Sequence, residues 1–249
     1  MLDRTKGEEM IYSEKYTPRP SDYNRNKKIS YEGILQILEA VADNHSSMVG
    51  DSIAKANTIV WILTEWNVKI LHRPQNGESL HIKTWVRGKA PASVVFRDFV
   101  VEDEQGATVI QAEAKFALFD LAASKLVRIN EELLASYLPE EQKVFEDSSR
   151  LRVPSEYTEE QELPLRRSDI DFNGHVHNTR YLDFALQVLP HEVFAADDMT
   201  EIQIVYAKPV MESDLVCTKY IQKEAEHFIS IMANGTLCTT IKMKMGEQK

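Results

Sequence analysis

The stretch Ser168–Val188, SDIDFNGHVHNTRYLDFALQV, decides how this 249-residue chain is to be read, because it has been written once before. Ser21–Val41 reads SDYNRNKKISYEGILQILEAV, 147 residues earlier (169 − 22). Ser21 matches Ser168, Asp22 matches Asp169 and Asn26 matches Asn173. The apolar stripe keeps its register. Ile34, Ile37, Leu38 and Val41 recur as Tyr181, Phe184, Ala185 and Val188, each set at i, i+3, i+4 and i+7, the spacing of one helix face. A second echo follows, with LHRPQNGESL (71–80) against YAKPVMESDL (206–215), pairing Pro74 with Pro209 at an offset of 135 (209 − 74). The first copy thus carries 12 more residues between helix and strand (147 − 135). Two matches in the same order, one in helical register, predict an internal duplication.

Strands are expected after each helix. Ile62, Thr64, Trp66, Val68 and Ile70 alternate with Leu63, Glu65, Asn67 and Lys69, the period of a half-buried strand. SLHIKTWV, SVVFRDFVV and TVIQAEAKFALF continue the pattern, with a hairpin turn at Asp103–Gly106; EIQIVY, DLVCTKYI, HFISIM and TLCTTIKMKM do so in the second copy, with a turn at Ala233–Gly235. Trp61, Trp66 and Trp85 are expected in the core. A helix wrapped by an antiparallel sheet, twice over, describes an α+β protein of two tandem hotdog domains with their sheets paired edge to edge. The division expected is 1–138 for the first domain, 139–160 for a charged linker and 161–249 for the second, with a short helix at Glu131–Tyr137.

Bulk composition narrows the function. Hydrophobic residues are 43% and charged residues 27%, ordinary for a soluble domain with a real core. No apolar run reaches the roughly 18–20 residues of a bilayer span, and the polar start MLDRTKGEEMIYSEKY lacks the apolar stretch of a signal peptide. Cys217 and Cys238 alone make no disulfide framework or zinc spacing, so a reducing cytoplasm is expected. A net charge of −10 argues against nucleic acid or an anionic membrane as partner. Monomer and homodimer are both open, since the two copies already pair within one chain.

Duplication supplies an internal control. Two aspartates, two asparagines and two histidines crowd the eleven residues Ser168–Asn178. Where the second copy has Asp171, Gly174, His175, His177 and Asn178, the first has Asn24, Lys27, Lys28, Ser30 and Tyr31. The shared Asp169 and Asn173 fit a turn into the helix. Asp171 and His175 are new in the second copy, which favours chemistry there. His177 reads as structural or exposed. His175-Val176-His177 has chelating potential, but nothing else in the chain completes a ligand set.

Asp171-Phe172-Asn173-Gly174-His175, continued by Asn178 and Tyr181, resembles the D-x-N-x-H motif of the plant and bacterial acyl-ACP thioesterases. ISYEGILQILEAVADNHSSMVG, IVWILTEWNVKI, the Pro-x-x-Gly turn, KTW and LVRINEEL fall in that family's order, from about Tyr16 to Met245. The resemblance implies hydrolysis of the thioester between a fatty acyl chain and carrier-protein phosphopantetheine, with no metal or organic cofactor. It implies catalytic roles for Asp171, Asn173 and His175, with Asp171 as general base or nucleophile, His175 as donor to a carbonyl or water, and Asn173 holding that water or orienting Asp171. Asn178 and Tyr181 are candidate substrate contacts, with a helix cap for Asn178 and a packing role for Tyr181 equally open, and the first copy is a candidate acyl-chain pocket. Arg166 and Arg167, with Arg150 and Arg152, are candidates to receive an acidic acyl carrier protein or its phosphate. The sequence departs from the family at one point. Members often carry a glutamate, and many plant enzymes a following cysteine, where this chain has Pro209 and Val210; Glu212 lies three residues on. That departure keeps a non-catalytic acyl-binding protein open as an alternative, beside an acyl-CoA thioesterase.

Overall fold

The computed structural model describes residues 11–51, 53, 58–88, 91–146 and 150–246. Residues 1–10, on which the expectation of no signal peptide largely rests, lie outside them. Strand β1 (Tyr12–Tyr16) and a 3-10 turn (Pro20–Asp22) lead into α1 (Tyr31–Met48), then β2 (Ile59–Ile70), β3 (Leu80–Val86), β4 (Val94–Glu102), β5 (Thr108–Asp120), the two-residue β6 (Lys125–Leu126) and α2 (Glu131–Ser136). The series then repeats as β7 (Glu159–Leu163), a 3-10 turn (Arg167–Asp169), α3 (Arg180–Gln187), α4 (His191–Ala196), β8 (Met199–Tyr206), β9 (Val216–Lys223), β10 (Glu226–Ala233) and β11 (Thr236–Met245). β1 and β7 were not assigned from the sequence, and β7 begins inside the segment read as linker.

All eleven strands of the described residues form one antiparallel sheet. Along it the order is β1-β3-β4-β5-β2 and then β8-β11-β10-β9-β7, the same order in each copy taken in opposite directions, with β6 off the path beside β5. The copies meet where β2 pairs with β8, symmetric about Asn67↔Gln203, with Glu65↔Val205 on one side and Lys69↔Glu201 on the other. Gln203 Nε2 donates to Asn67 Oδ1 at 2.7 Å across that centre. Both expected hairpin turns form. Asp103 Oδ1 accepts from the N–H groups of Gln105 and Ala107, and Asn234 and Gly235 take the positive φ values that a tight hairpin demands.

α1 is specified locally. Ser30 caps it, its side chain accepting from Gly33 N at 2.9 Å, and its apolar stripe Ile34, Leu35, Ile37, Leu38 and Val41 is buried. Gly33 has a second reason: a Cβ there would stand 2.7 Å from Asp22 O. Full burial of each large apolar side chain is worth about 1.5–3 kcal/mol, so this stripe is a main tie between helix and sheet.

Three expectations need correction. The second helix is not a long one: α3 has 8 residues against 18 in α1. Pro190 lacks an N–H and disfavours helical backbone at the residue before it, so Val188 falls at the C-cap and is only partly buried. The alternation in β2 also breaks. Its register with β5 shifts between Leu63 and Glu65, so Leu63 is buried while Ile62 is exposed, and Trp66, Val68 and Ile70 resume the inward face. Trp66 and Trp85 are core residues, but Trp61 is only half-buried, with its Nε1 donating to Asp51.

The linker crosses the sheet. Trp85 Nε1 donates to Gln142 O and Val144 N to Asp98 Oδ1, and beneath it the buried Arg87 binds Asp98 at 2.5 and 2.7 Å and also Glu113. Among the described residues no helix is long and apolar enough to cross a membrane.

Candidate active site

Asp171 closes a five-residue turn. Its N–H donates to His175 O at 2.8 Å, Gly174 N donates back to Asp171 O at 3.0 Å, and Asp171 Oδ1 accepts from Asn173 N at 2.8 Å and His175 N at 3.2 Å. The first copy builds the same turn from different residues. Asn24 N donates to Lys28 O at 2.8 Å, Lys27 N to Asn24 O at 3.0 Å, and Asn24 Oδ1 accepts from Asn26 N and Lys28 N at 2.9 and 3.2 Å. Gly174 sits at φ +80°, and its counterpart Lys27 bears φ +60° despite its side chain. Both turns hang on a buried aspartate: Asp169 accepts from Arg166 N, and Asp22 from Arg19 N and the Tyr16 hydroxyl. The turn therefore needs an acceptor oxygen at its first position and no charge. The carboxylate of Asp171 and the imidazole of His175 are surplus to it.

That surplus is available for chemistry. With Oδ1 held by two backbone N–H groups, Asp171 Oδ2 meets only the Asn173 amide among the described residues, at a long 3.4 Å. His175 is half-buried, and its ring hydrogen-bonds none of the described residues. Its backbone pairs with Met211, while Val176 N donates to Val210 O at 2.9 Å, seating the segment after β8 beside the turn. The first copy's turn is instead engaged in structure. The side-chain amides of Asn24 and Asn26 donate to Asp197 Oδ2 at 3.0 and 2.8 Å, and Arg73 binds Asp197 Oδ1 at 2.5 Å while lying over the Tyr31 ring. Burial works against that carboxylate, but the bonds from Asn26, Arg73 and Asn24 outweigh it and hold Asp197 below the usual carboxylate range.

A cavity of about 340 Å³ lies between α1 and the strands of the first copy, and Phe172 and Asn178 of the second-copy motif reach its edge. Leu63, Val86, Val95 and Phe116 give it apolar walls. Phe172 is 98% exposed, an aromatic ring presented to solvent at the boundary between turn and cavity. Arg97 and Tyr137 bound the cavity away from the motif; Arg97 contacts His45 Nδ1 at 2.8 Å, and burial pushes its guanidinium down to about 10.

The remaining predicted residues divide. Asn178 reaches the cavity and its carbonyl accepts from the Tyr206 hydroxyl at 3.1 Å. Tyr181 is withdrawn from the surface at 2% exposure, its hydroxyl accepting from Val210 N at 2.9 Å, so it holds the segment after β8 in place and is no open substrate contact. Arg166 is committed to Asp169 and Asp183 at 3.0 and 3.1 Å, whereas Arg167 is exposed with no ion pair among the described residues. Arg150 and Arg152 lie beside Gln203, whose neighbours Ile202 and Ile204 point to the core, so they belong to the opposite face of the sheet. His177 is exposed, with Nδ1 3.1 Å from Thr179 Oγ1. No group of three metal-ligating side chains occurs among the described residues. Pro209 and Glu212 are exposed in the loop after β8. Sequence reasoning missed Glu39, an acid on α1 that borders the cavity; its only local signal is an acidic residue interrupting the apolar run ILQILEAVA.

The family model for the acyl-ACP thioesterase N-terminal domain matches residues 9–137, and that for the C-terminal domain matches residues 153–243. The chain is 26% identical over 250 residues to oleoyl-acyl carrier protein thioesterase 2, chloroplastic, of Arabidopsis thaliana, covering 92% of this chain and 68% of that one; of the corresponding thioesterase 1 it covers 62%. Its fold superposes on the crystal structure of an acyl-ACP thioesterase from Bacteroides thetaiotaomicron with a TM-score of 0.85, at 23% identity and covering 95% and 98% of the two chains. Against the 12:0-ACP thioesterase from Umbellularia californica the TM-score is 0.84 at 15% identity, covering 97% and 99%.

Proposed function

The chain belongs to the acyl-ACP thioesterase family, and on that premise we propose that it hydrolyses the thioester of fatty acyl-ACP to free fatty acid and ACP, at Asp171, Asn173 and His175 of its second copy. The observation that carries the assignment is the pair of matching turns. One geometry serves both copies, yet only the second adds a carboxylate and an imidazole, and two residues beside them, Phe172 and Asn178, reach the edge of the cavity.

In this reading the acyl chain enters the cavity past Phe172 and Asn178, leaving the thioester carbonyl at the turn. Asp171 acts through Oδ2, either by taking the proton of an attacking water or by attacking the carbonyl carbon itself. In both cases one water adds across the C–S bond, the acid keeps the oxygen, and the sulfur departs as the phosphopantetheine thiol with a proton. Asn173 and His175 donate hydrogen bonds to the oxygen on which negative charge develops. Arg167, an exposed cation beside the motif with no ion pair among the described residues, meets the acidic carrier protein; a rim charge of this kind acts on encounter more than on the chemical step. Cys217 and Cys238 are free thiols, which supports placement in a reducing cytoplasm.

Release of free ACP thiol from a panel of acyl-ACPs tests the assignment, with wild type compared to Asp171→Asn and His175→Ala. Each folded variant is expected to lose at least about 100-fold in kcat. A wild type no faster than buffer on every acyl-ACP would overturn the enzymatic reading, and full activity in Asp171→Asn would overturn the site.

A further inference from the structure

The cavity holds more polarity than a plain hydrocarbon chain requires. Glu32 ties α1 to the entrance of α3, contacting Thr179 Oγ1 at 3.4 Å and Arg180 at 3.1 Å. Glu39 stands two turns further along the same helix face, about 10 Å on, and borders the cavity. Burial and then the nearby Glu39 carboxyl push up the hydroxyl of Tyr206, which donates to Asn178 O. Glu39 is therefore at the end of the cavity nearer the motif. Its Oε1 is buried with no hydrogen-bond partner among the described residues. Burial, helped by the neighbouring Asp43, pushes the carboxyl up to about 8, so at neutral pH it is an uncharged acid able both to donate and to accept. One turn on and beyond, Asp43, Ser46 and Arg97 add further polar groups to the wall.

An unsubstituted chain filling this space covers the Glu39 carboxyl without bonding it. A buried polar group left unpaired is destabilising, while a hydroxyl or keto oxygen on the chain offers the missing partner. We propose that the cavity selects acyl chains bearing an oxygen substituent, a hydroxyl or a keto group, over unsubstituted chains, and that Glu39 recognises that oxygen. The inference rests on the reading of the cavity as the acyl-chain site and adds the class of chain it takes.

Amide-linked acyl-pantetheine analogues, which resist hydrolysis, test it directly. Pairs of matched length, unsubstituted or carrying oxygen at carbon 3 or at mid-chain, are titrated against the whole protein, and the corresponding acyl-ACPs are assayed for hydrolysis in parallel. At least one oxygenated chain is expected to bind about tenfold tighter than its unsubstituted partner. Glu39→Gln, uncharged and still a donor and acceptor, keeps the preference; Glu39→Leu abolishes it by tightening the plain chain and weakening the oxygenated one. Plain chains binding as well as every oxygenated partner in the wild type overturn the proposal, and so does a preference that survives Glu39→Leu. Should that variant fail to fold, Glu39→Ala takes its place, and the wild-type comparison is decisive on its own against the proposal. Hydrolysis without preference removes this inference and leaves the enzymatic reading standing. Preference without hydrolysis does the reverse.

Discussion

Asn24 does for the first turn what Asp171 does for the second, and that equivalence separates two roles that one residue combines. A side-chain oxygen accepting two backbone N–H groups is a structural device, and an amide supplies it as well as a carboxylate. Asp171→Asn is thus expected to unfold within about 0.5 kcal/mol of wild type, as surface changes that keep their contacts do, while losing activity. Asp171→Ala removes the acceptor too and should cost about 1 kcal/mol in addition, by analogy with the loss of a capping oxygen. Thermal unfolding of the two variants beside their kcat values checks this; equal destabilisation would mean that the turn does not depend on the oxygen. Single residues were legible in the sequence where their contacts are local, as for Asp169, expected in the turn and found buried there, accepting from Arg166 N. Tyr181 was not, because whether an aromatic ring at a helix start faces a ligand or a neighbouring loop depends on Val210, a contact 29 residues away.

At the scale of elements, α1 was readable almost in full, since cap, stripe and length are all written within one run. α3 was misjudged from a stripe that continues past its end, because a proline acts on backbone geometry whatever the apolar pattern around it. The Thr64 region of β2 shows the same limit: a bulge leaves hydrophobicity intact and changes only which face each residue takes. Helix α1 also carries a pH signature through Glu39. Its carboxyl is raised from an ordinary 4.5 to about 8 in the folded chain. Between those two values the unfolded chain gives up the proton while the folded chain keeps it. The group's contribution to stability is therefore whole below pH ~4.5 and is lost as pH rises toward ~8, with a slope of at most ~1.4 kcal/mol per pH unit. Glu39→Gln removes that slope, so its Tm should gain on wild type between pH 5 and pH 8. A constant difference across that range would sink the assignment of a raised pKa to Glu39.

Over the whole molecule, two copies of one plan have been made unequal by a few contacts between them. The β2–β8 seam is symmetric about Asn67 and Gln203, but Asp197 crosses from the second copy to occupy the first copy's turn together with Arg73. Both partners are buried, so Arg73→Met leaves an uncompensated charge and is expected to cost about 3–5 kcal/mol, read as a fall in Tm. A loss within ordinary surface-mutation scatter would show that the pair is not a structural tie. Arg167→Glu belongs to the same scale, because it acts on a partner: KM for acyl-ACP should rise several-fold with kcat unchanged, and wild-type KM should rise with salt. An unchanged KM in both experiments would move the carrier-protein contact elsewhere.

Duplication, α+β class, the family and the position of the motif could all be read from the chain, because each rests on patterns repeated within a few turns or strands: helical register, strand alternation, a five-residue turn. The inequality of the two copies could be read only as a difference in residue types. What that difference does was set by contacts far apart in sequence, Asn24 and Arg73 with Asp197, and Phe172 and Asn178 with a cavity built by the other copy. Such contacts leave no periodic trace, since the energy of a buried charge or an unpaired carboxyl depends on what surrounds it in space. Glu39 is the sharpest case: an ordinary acid in the sequence, and once α1 is laid against the sheet one whose Oε1 is buried with no hydrogen-bond partner among the described residues and whose carboxyl burial pushes up to about 8.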